Sequence, residues 1–93
     1  MNCPATFIVE DVEGVGTIDN LSERGCAISS TVVVPGEGYA TVSITLPDQA
    51  EPLCVDLARV RWATQTGFGL EFRMLSHAAR QRLMRFLTVP KAA

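Results

Sequence analysis

The stretch Asp19-Asn20-Leu21-Ser22-Glu23-Arg24-Gly25-Cys26 is a short polar island in a chain that is otherwise rich in strand-forming residues. The side chains of Asn20 and Ser22 hydrogen-bond readily to nearby backbone, and Gly25 supplies the backbone freedom of a sharp corner. This chemistry predicts a turn between two strands. The patterns on either side of the turn then decide the fold.

The patterns around this turn predict six strands. Two runs before it, residues 5–12 and 15–21, predict strands joined at a Glu13-Gly14 turn. After it, residues 26–30 predict a third strand. A fourth is predicted over residues 39–46, where apolar and polar side chains alternate strictly, as they do in a strand with one buried face.

The last two predicted strands carry signs of curvature. Residues 53–64 are apolar at odd positions first and at even positions later, which predicts a bulge near residues 57–59. In residues 67–73, one face carries Phe68, Leu70 and Phe72, and the other carries two glycines, which indicates a bend or a close backbone approach. Trp62, Phe68 and Phe72 are expected in the core.

A helix is predicted to follow over about residues 76–88. Ser76 is its expected N-cap, Ala79, Leu83, Phe86 and Leu87 form an apolar stripe, and Pro90 ends it. Arg80, Arg82 and Arg85 are expected on a solvated face. The predicted fold is all-β: a six-stranded antiparallel β-barrel over about residues 5–73 with one C-terminal α-helix, forming a single domain of residues 1–93.

Composition excludes several function classes. The 93 residues suit one folded domain, and a net charge of −2 argues against binding to duplex DNA. No apolar run approaches the roughly 18 residues of a membrane span, and no signal segment is expected before the domain. The three cysteines lack metal-type spacing, so no metal site is predicted. Cys26 and Cys54 are expected to be buried as small apolar residues. Reduced cysteines predict a cytoplasmic location.

No arrangement of catalytic residues is evident, so the chain is not expected to be an enzyme. The sole histidine, His77, falls in the first turn of the predicted helix without a serine or cysteine partner. The acidic pairs Glu10/Asp11 and Asp19/Glu23 lack a companion that would mark a general acid and base. The sequence contains no phosphate-binding glycine loop of the expected length, so no cofactor is expected.

The spacing Asn20-x-Ser22-x-x-Gly25 resembles the second signature of PilZ domains, the bacterial receptor modules for cyclic di-GMP. Residues 38–46 (GYATVSITL) resemble the strand that follows this signature in the family. Residues 58–62 and 67–72 resemble its late hairpin, in which a valine-tryptophan pair precedes a Gly-x-Gly-x-x-Phe strand. The arginine-rich closing helix also agrees, so the resemblance covers about residues 14–88.

The resemblance implies a ligand site on the polar turn. Asn20 and Ser22 would hydrogen-bond cyclic di-GMP, Gly25 would let the ligand approach the backbone, and Arg24 would lie among them. Asp19, Arg59 and Arg61 are auxiliary candidates. The family's other signature, Arg-x-x-x-Arg before the first strand, is missing, since no basic residue precedes Arg24. Two lost arginine contacts remove roughly 3–6 kcal/mol, or about a hundred- to more than ten-thousand-fold in affinity.

Three hypotheses follow. The first is a PilZ-like adaptor that acts through protein partners, as pilus-assembly members do in type IV pilus biogenesis and motility, with weak or no cyclic di-GMP binding of its own. Its candidate contact surfaces are the strand face of Tyr39, Thr41 and Thr45, the Arg59/Arg61 edge and the arginine face of the helix. The second is a genuine cyclic di-GMP receptor that uses Arg24 and its neighbours, or arginines upstream in a longer parent chain. The third is an unrelated small β-barrel.

Overall fold

Six strands and one helix make up the computed structural model, which describes residues 3–47 and 49–88. The helix α1 spans His77–Thr88 and follows the last strand directly. In chain order the strands are β1 (Cys3–Val9), β2 (Val12–Leu21), β3 (Gly25–Ser29), β4 (Tyr39–Ile44), β5 (Leu53–Ala63) and β6 (Gly67–Met74).

The strands close into one antiparallel barrel. Their order around it is β1-β2-β3-β6-β5-β4, and β4 pairs back onto β1. This order places β1 opposite β6 and β4 opposite β3. Inward and outward residues alternate along much of the sheet, as in β1, and Phe7 and Phe68 meet edge to face in the core with ring centroids 4.8 Å apart. The all-β barrel with a C-terminal helix, expected from the sequence, is confirmed.

The first hairpin turns at residues 10–11, and the turn predicted at Glu13-Gly14 is wrong. Val9 pairs directly with Val12, so only two residues join β1 to β2. Gly14 lies inside β2, where an added Cβ would stand 2.8 Å from the ring of Phe7. The glycine that suggests a turn in the sequence is therefore required by packing over a core ring.

Strand β5 contains the predicted bulge and a second one. Its register with β6 shifts near residues 57–58, as expected, and shifts again between Val60 and Trp62. The second shift turns both Arg61 and Trp62 outward, and Trp62 is 48% exposed. The core position expected for Trp62 is therefore wrong. The first bulge turns the even-numbered residues of β5 inward, and the second bulge reverses this, so Trp62 points outward. Phe68, expected beside it, is fully buried.

Helix α1 packs on the barrel through its apolar stripe. The backbone N–H of Ala79 donates to the Ser76 hydroxyl at 3.1 Å, which confirms the N-cap. Ala79 and Leu83 are buried, and Phe86 and Leu87 pack against the core from its margin. The helix is described as far as Thr88, so the stop expected at Pro90 lies outside the described residues.

Arg82 does not belong to a solvated helix face, contrary to expectation. Its guanidinium donates to the side-chain carbonyl of Gln49 at 2.6 Å and to the backbone carbonyl of Pro52 at 3.2 Å. A third bond goes to the backbone carbonyl of Glu51. Arg82 thus ties α1 to the β4–β5 loop, whereas Arg80 and Arg85 are exposed as expected.

The two cysteines expected in the core have different environments. Cys26 is buried in β3, in agreement with the expectation. Cys54 is exposed, so its expected burial is wrong. Cys54 lies between the buried residues Leu53 and Val55 of β5, and the period of two in a strand turns it outward.

Candidate functional site

The turn between β2 and β3 is built around Ser22. Its backbone N–H donates to the carbonyl of Gly25 at 2.9 Å. Its hydroxyl accepts from the N–H of Arg24 at 3.3 Å and donates to the carbonyl of Gly25 at 3.3 Å. This is the side-chain-to-backbone bonding typical of serine in turns. The Ser22 hydroxyl is exposed but is already used to hold the turn.

A bulge in β2 shapes the approach to the turn. The register with β3 shifts between Ile18 and Asn20, which leaves Asp19 at the irregularity. The Asp19 carboxylate accepts a hydrogen bond from the hydroxyl of Ser29. The side chain of Asn20 is exposed and has no hydrogen-bond partner within residues 3–47 and 49–88. Asn20 is thus the residue of the turn motif whose polar atoms are available to a ligand.

Gly25 is required by the contact between β3 and β6. A Cβ on Gly25 would lie 2.1 Å from the carbonyl oxygen of Leu70, and the N–H of Phe72 donates to the carbonyl of Arg24 at 2.7 Å. Gly25 does not have a left-handed φ; among the described glycines only Gly38 does. The corner expected at Gly25 is therefore explained by close approach of two backbones, and not by conformational freedom.

Strand pairing places the auxiliary candidates on the same outer face as the turn. In one row across β3, β6 and β5, Gly25 pairs with Glu71, and Glu71 pairs with Arg59. Arg59 thus lies two strands, or about 10 Å, from Gly25. In the neighbouring row, Asn20, Ala27, Gly69 and Trp62 follow one another across four strands. Asn20, Gly25 and Arg59 therefore lie on one outer face of the barrel, and the contact of Arg61 with Glu71 places Arg61 there as well.

Trp62 is an exposed aromatic residue of this face that the sequence did not reveal. Its indole lies against Gly69, since a Cβ on Gly69 would be 2.2 Å from the indole nitrogen. The missing side chain at Gly69 provides the space for this ring. The alternating pattern of β5 assigned Trp62 to the interior, and only the second bulge reverses that assignment. A half-exposed aromatic ring on this face offers a stacking surface for a planar group.

The arginines of this face differ in how they are paired. Glu71 accepts contacts from the guanidiniums of Arg61 at 3.8 Å and Arg73 at 3.3 Å. These pairs are exposed and contribute little to stability, on the order of 0–1 kcal/mol each. Arg24 and Arg59 have no ionic partner in the part of the chain that the structure describes. Two of the four guanidiniums on this face therefore make no ion pair with a described carboxylate.

Cys26 lies under this face, and its burial raises the pKa of the thiol from 9.0 to about 12. The folded protein therefore holds this proton more tightly than the unfolded chain does. The resulting stability is fully present below pH 9 and is lost progressively as the pH rises towards 12. The free energy of unfolding should fall by about 1.4 kcal/mol per pH unit at the steepest point from this thiol alone.

Urea unfolding at a series of alkaline pH values measures this effect. The Cys26→Ala variant should show a shallower alkaline decline than the wild type, because it lacks the buried thiol whose pKa is raised. Cys54→Ala is the matched control, since Cys54 is exposed, and it should keep the wild-type slope. Equal slopes for Cys26→Ala and the wild type would contradict the assignment.

Other chemistries find little support in the described residues. No group of three metal-binding side chains occurs among them. His77 begins α1, where its Nε2 lies 3.0 Å from Nε2 of Gln81, with no nucleophile in contact. Within the described part of the chain, no helix has the length and apolar character that crossing a membrane requires.

Comparison with known protein families matches the PilZ domain over residues 1–88. Comparisons with curated proteins and with solved structures found no match. The family match covers nearly the whole chain and excludes the alternative of an unrelated small barrel. PilZ domains are binding and adaptor domains for cyclic di-GMP signalling, and they are not a family of enzymes. Its barrel, its turn motif and this match together show that the chain belongs to the PilZ domain family.

Proposed function

We propose that this PilZ domain is a cytoplasmic signalling adaptor that acts through protein partners, in pilus assembly or motility, and binds cyclic di-GMP weakly or not at all by itself. The observation that carries the proposal is the charge of the face around the turn. Its four arginines share the surface with the carboxylates of Asp19, Glu23 and Glu71. Cyclic di-GMP has two phosphates, and among the described residues of this face only Arg24 and Arg59 carry a guanidinium without an ionic partner.

The N-terminal strand adds no cation to this face. Residues 3–9 form β1, which lies across the barrel from β6, and none of them is basic. Asn20 could still bond a guanine edge, but hydrogen bonds to phosphate from paired arginines are the stronger contribution. The small number of free arginines favours a domain that relays a signal through contacts with other proteins.

Isothermal titration calorimetry with cyclic di-GMP tests the proposal. The expected result is no saturable binding in the low micromolar range at physiological salt. Saturable binding in that range would overturn the proposal and establish the receptor alternative. That alternative is favoured by one arrangement: Asn20, Arg24 and Arg59 have free polar groups on the same face as the exposed ring of Trp62.

If calorimetry detects binding of cyclic di-GMP, arginine variants identify the residues that bind it. Arg24→Ala and Arg59→Ala should each weaken binding by about tenfold or more if they contact phosphate. Arg80→Ala is the matched control, because Arg80 is an exposed arginine of α1 away from the turn. Equal losses in all three variants would indicate non-specific attraction of an anion.

A further inference from the structure

The outer surface of β1 and β4 forms an open depression of about 640 Å³. Its floor is a row of small side chains across β2, β1, β4 and β5, in which Val15 pairs with Thr6, Thr6 with Ser43, and Ser43 with Cys54. At the usual strand spacing this row is about 15 Å wide, enough for one strand or helix. We call this surface the concave face and define it by Thr6, Ile8, Val15, Thr41, Ser43 and Cys54.

The concave face exposes branched aliphatic side chains to water. Ile8 is 45% exposed and Val15 is 67% exposed. They lie in neighbouring rows on adjacent strands, since Thr6 pairs with Val15 and Ile8 pairs with Glu13. Apolar groups gathered on a concave surface with a polar border are typical of interaction sites. Contact with an apolar partner would remove them from water.

The border of the concave face is acidic. Glu13 and Asp56 line it with exposed carboxylates, and Asp11 follows at the β1–β2 turn. None of the arginines lines this surface: they lie on the β2–β3 turn, the second half of β5, β6 and α1. The local field therefore attracts cations and repels acidic partners.

Closure of the barrel limits how a partner binds. Each of the six strands pairs with a neighbour on both sides, so the barrel has no edge strand to which a partner strand is added. Recognition must use side chains on the outer face. A second copy of the chain offers a poor complement through α1, because the exposed residues of that helix are polar or charged, apart from Ala78.

We propose that the concave face docks a protein segment whose aliphatic side chains contact Ile8 and Val15 and whose Lys or Arg side chains meet Glu13 and Asp56. This inference rests on the adaptor function proposed above, and it names the surface and the chemistry of the partner. The docking face is centred on β1 and β4, across the barrel from β6 and β3. Partner binding and the turn motif thus occupy different sides of the barrel.

Selection from a random-peptide phage library on the intact protein tests the proposal. The enriched peptides should combine aliphatic residues with Lys or Arg and should be depleted of Asp and Glu. A synthetic enriched peptide should bind Val15→Asp at least about tenfold more weakly than the wild type, because a carboxylate would be buried against its apolar side chains. Val33→Asp is the matched control, since Val33 is a 59% exposed valine outside the concave face, and it should bind like the wild type.

Two further readouts support the location and the charge preference. The peptide should slow alkylation of the exposed Cys54 thiol by N-ethylmaleimide about tenfold at a concentration ten times its Kd. Selection on the double variant Glu13→Lys/Asp56→Lys should enrich acidic peptides in place of basic ones. These substitutions lie on exposed positions, and thermal unfolding verifies that each variant is folded.

Three outcomes overturn the docking proposal: no enrichment, enrichment of acidic peptides on the wild type, or peptides that bind Val15→Asp as tightly as the wild type. None of these outcomes tests the binding of cyclic di-GMP, which calorimetry measures separately. Peptides that bind equally to Val15→Asp would leave the adaptor function in place and move its surface elsewhere. Low-micromolar binding of cyclic di-GMP, in contrast, would overturn the adaptor function whatever the peptides do.

Discussion

Replacing Gly25 by alanine is expected to lower the free energy of unfolding by about 3 kcal/mol. The added Cβ would lie 2.1 Å from the carbonyl oxygen of Leu70, and that oxygen belongs to the backbone of β6. Neither strand can yield without disturbing the β3–β6 ladder, in which Gly25 pairs with Glu71. Urea denaturation followed by circular dichroism measures the loss as a lower midpoint with an unchanged slope.

Two glycines provide controls of graded severity. Gly36→Ala should change stability little, because no heavy atom lies within 4 Å of its added Cβ. Gly69→Ala should fall between the two, since its Cβ would meet the ring of Trp62, a side chain that can move outward. If Gly25→Ala were as stable as Gly36→Ala, the glycine of the turn motif would have no packing role. Its place in the motif would then have to be explained by ligand approach alone.

The Phe68→Ala variant is expected to lose about 3–5 kcal/mol, because it removes a ring that is fully buried and packed against Phe7. This is a large share of the roughly 5–15 kcal/mol that stabilises a small domain. Phe68→Leu, which fills part of the same space, should lower the free energy of unfolding by roughly 1 kcal/mol. This variant still tests the packing of position 68 if the alanine variant does not fold. Chemical denaturation gives both values.

Trp62→Ala is the control that separates inner from outer aromatics on the β5–β6 hairpin. Trp62 is the larger residue, but it is 48% exposed and lies against Gly69 on the outer surface. Its removal should cost less than about 1.5 kcal/mol. A loss as large as that of Phe68→Ala would place the indole in the core and remove the stacking surface from the candidate site.

These two experiments concern the face on which the turn motif lies. Gly25 holds β3 against β6, and Phe68 anchors β6 from inside the barrel. Together they position Arg24, Arg59 and the other outward side chains of that face. The concave face on the far side depends on the same barrel, and the docking variants lie at exposed positions that leave the core unchanged.

The sequence alone determined the strand content, the barrel and the helix. Strict alternation in β4, the change of phase in β5 and the serine cap of α1 are local patterns, and local patterns follow directly from the periods of strand and helix. The turn motif was identifiable for the same reason, because its spacing lies within six residues. The family followed from the order of such motifs along the chain.

Which residues share a face, and which groups remain free, depends on the tertiary structure. The second bulge of β5 turns Trp62 outward, and it arises from pairing with β6, which no local pattern contains. The partners of Arg82 lie some thirty residues away in sequence, and the need for glycine at position 25 comes from a backbone on another strand. The concave face joins side chains of four strands. Such properties depend on register and closure, which are set by contacts between distant parts of the chain.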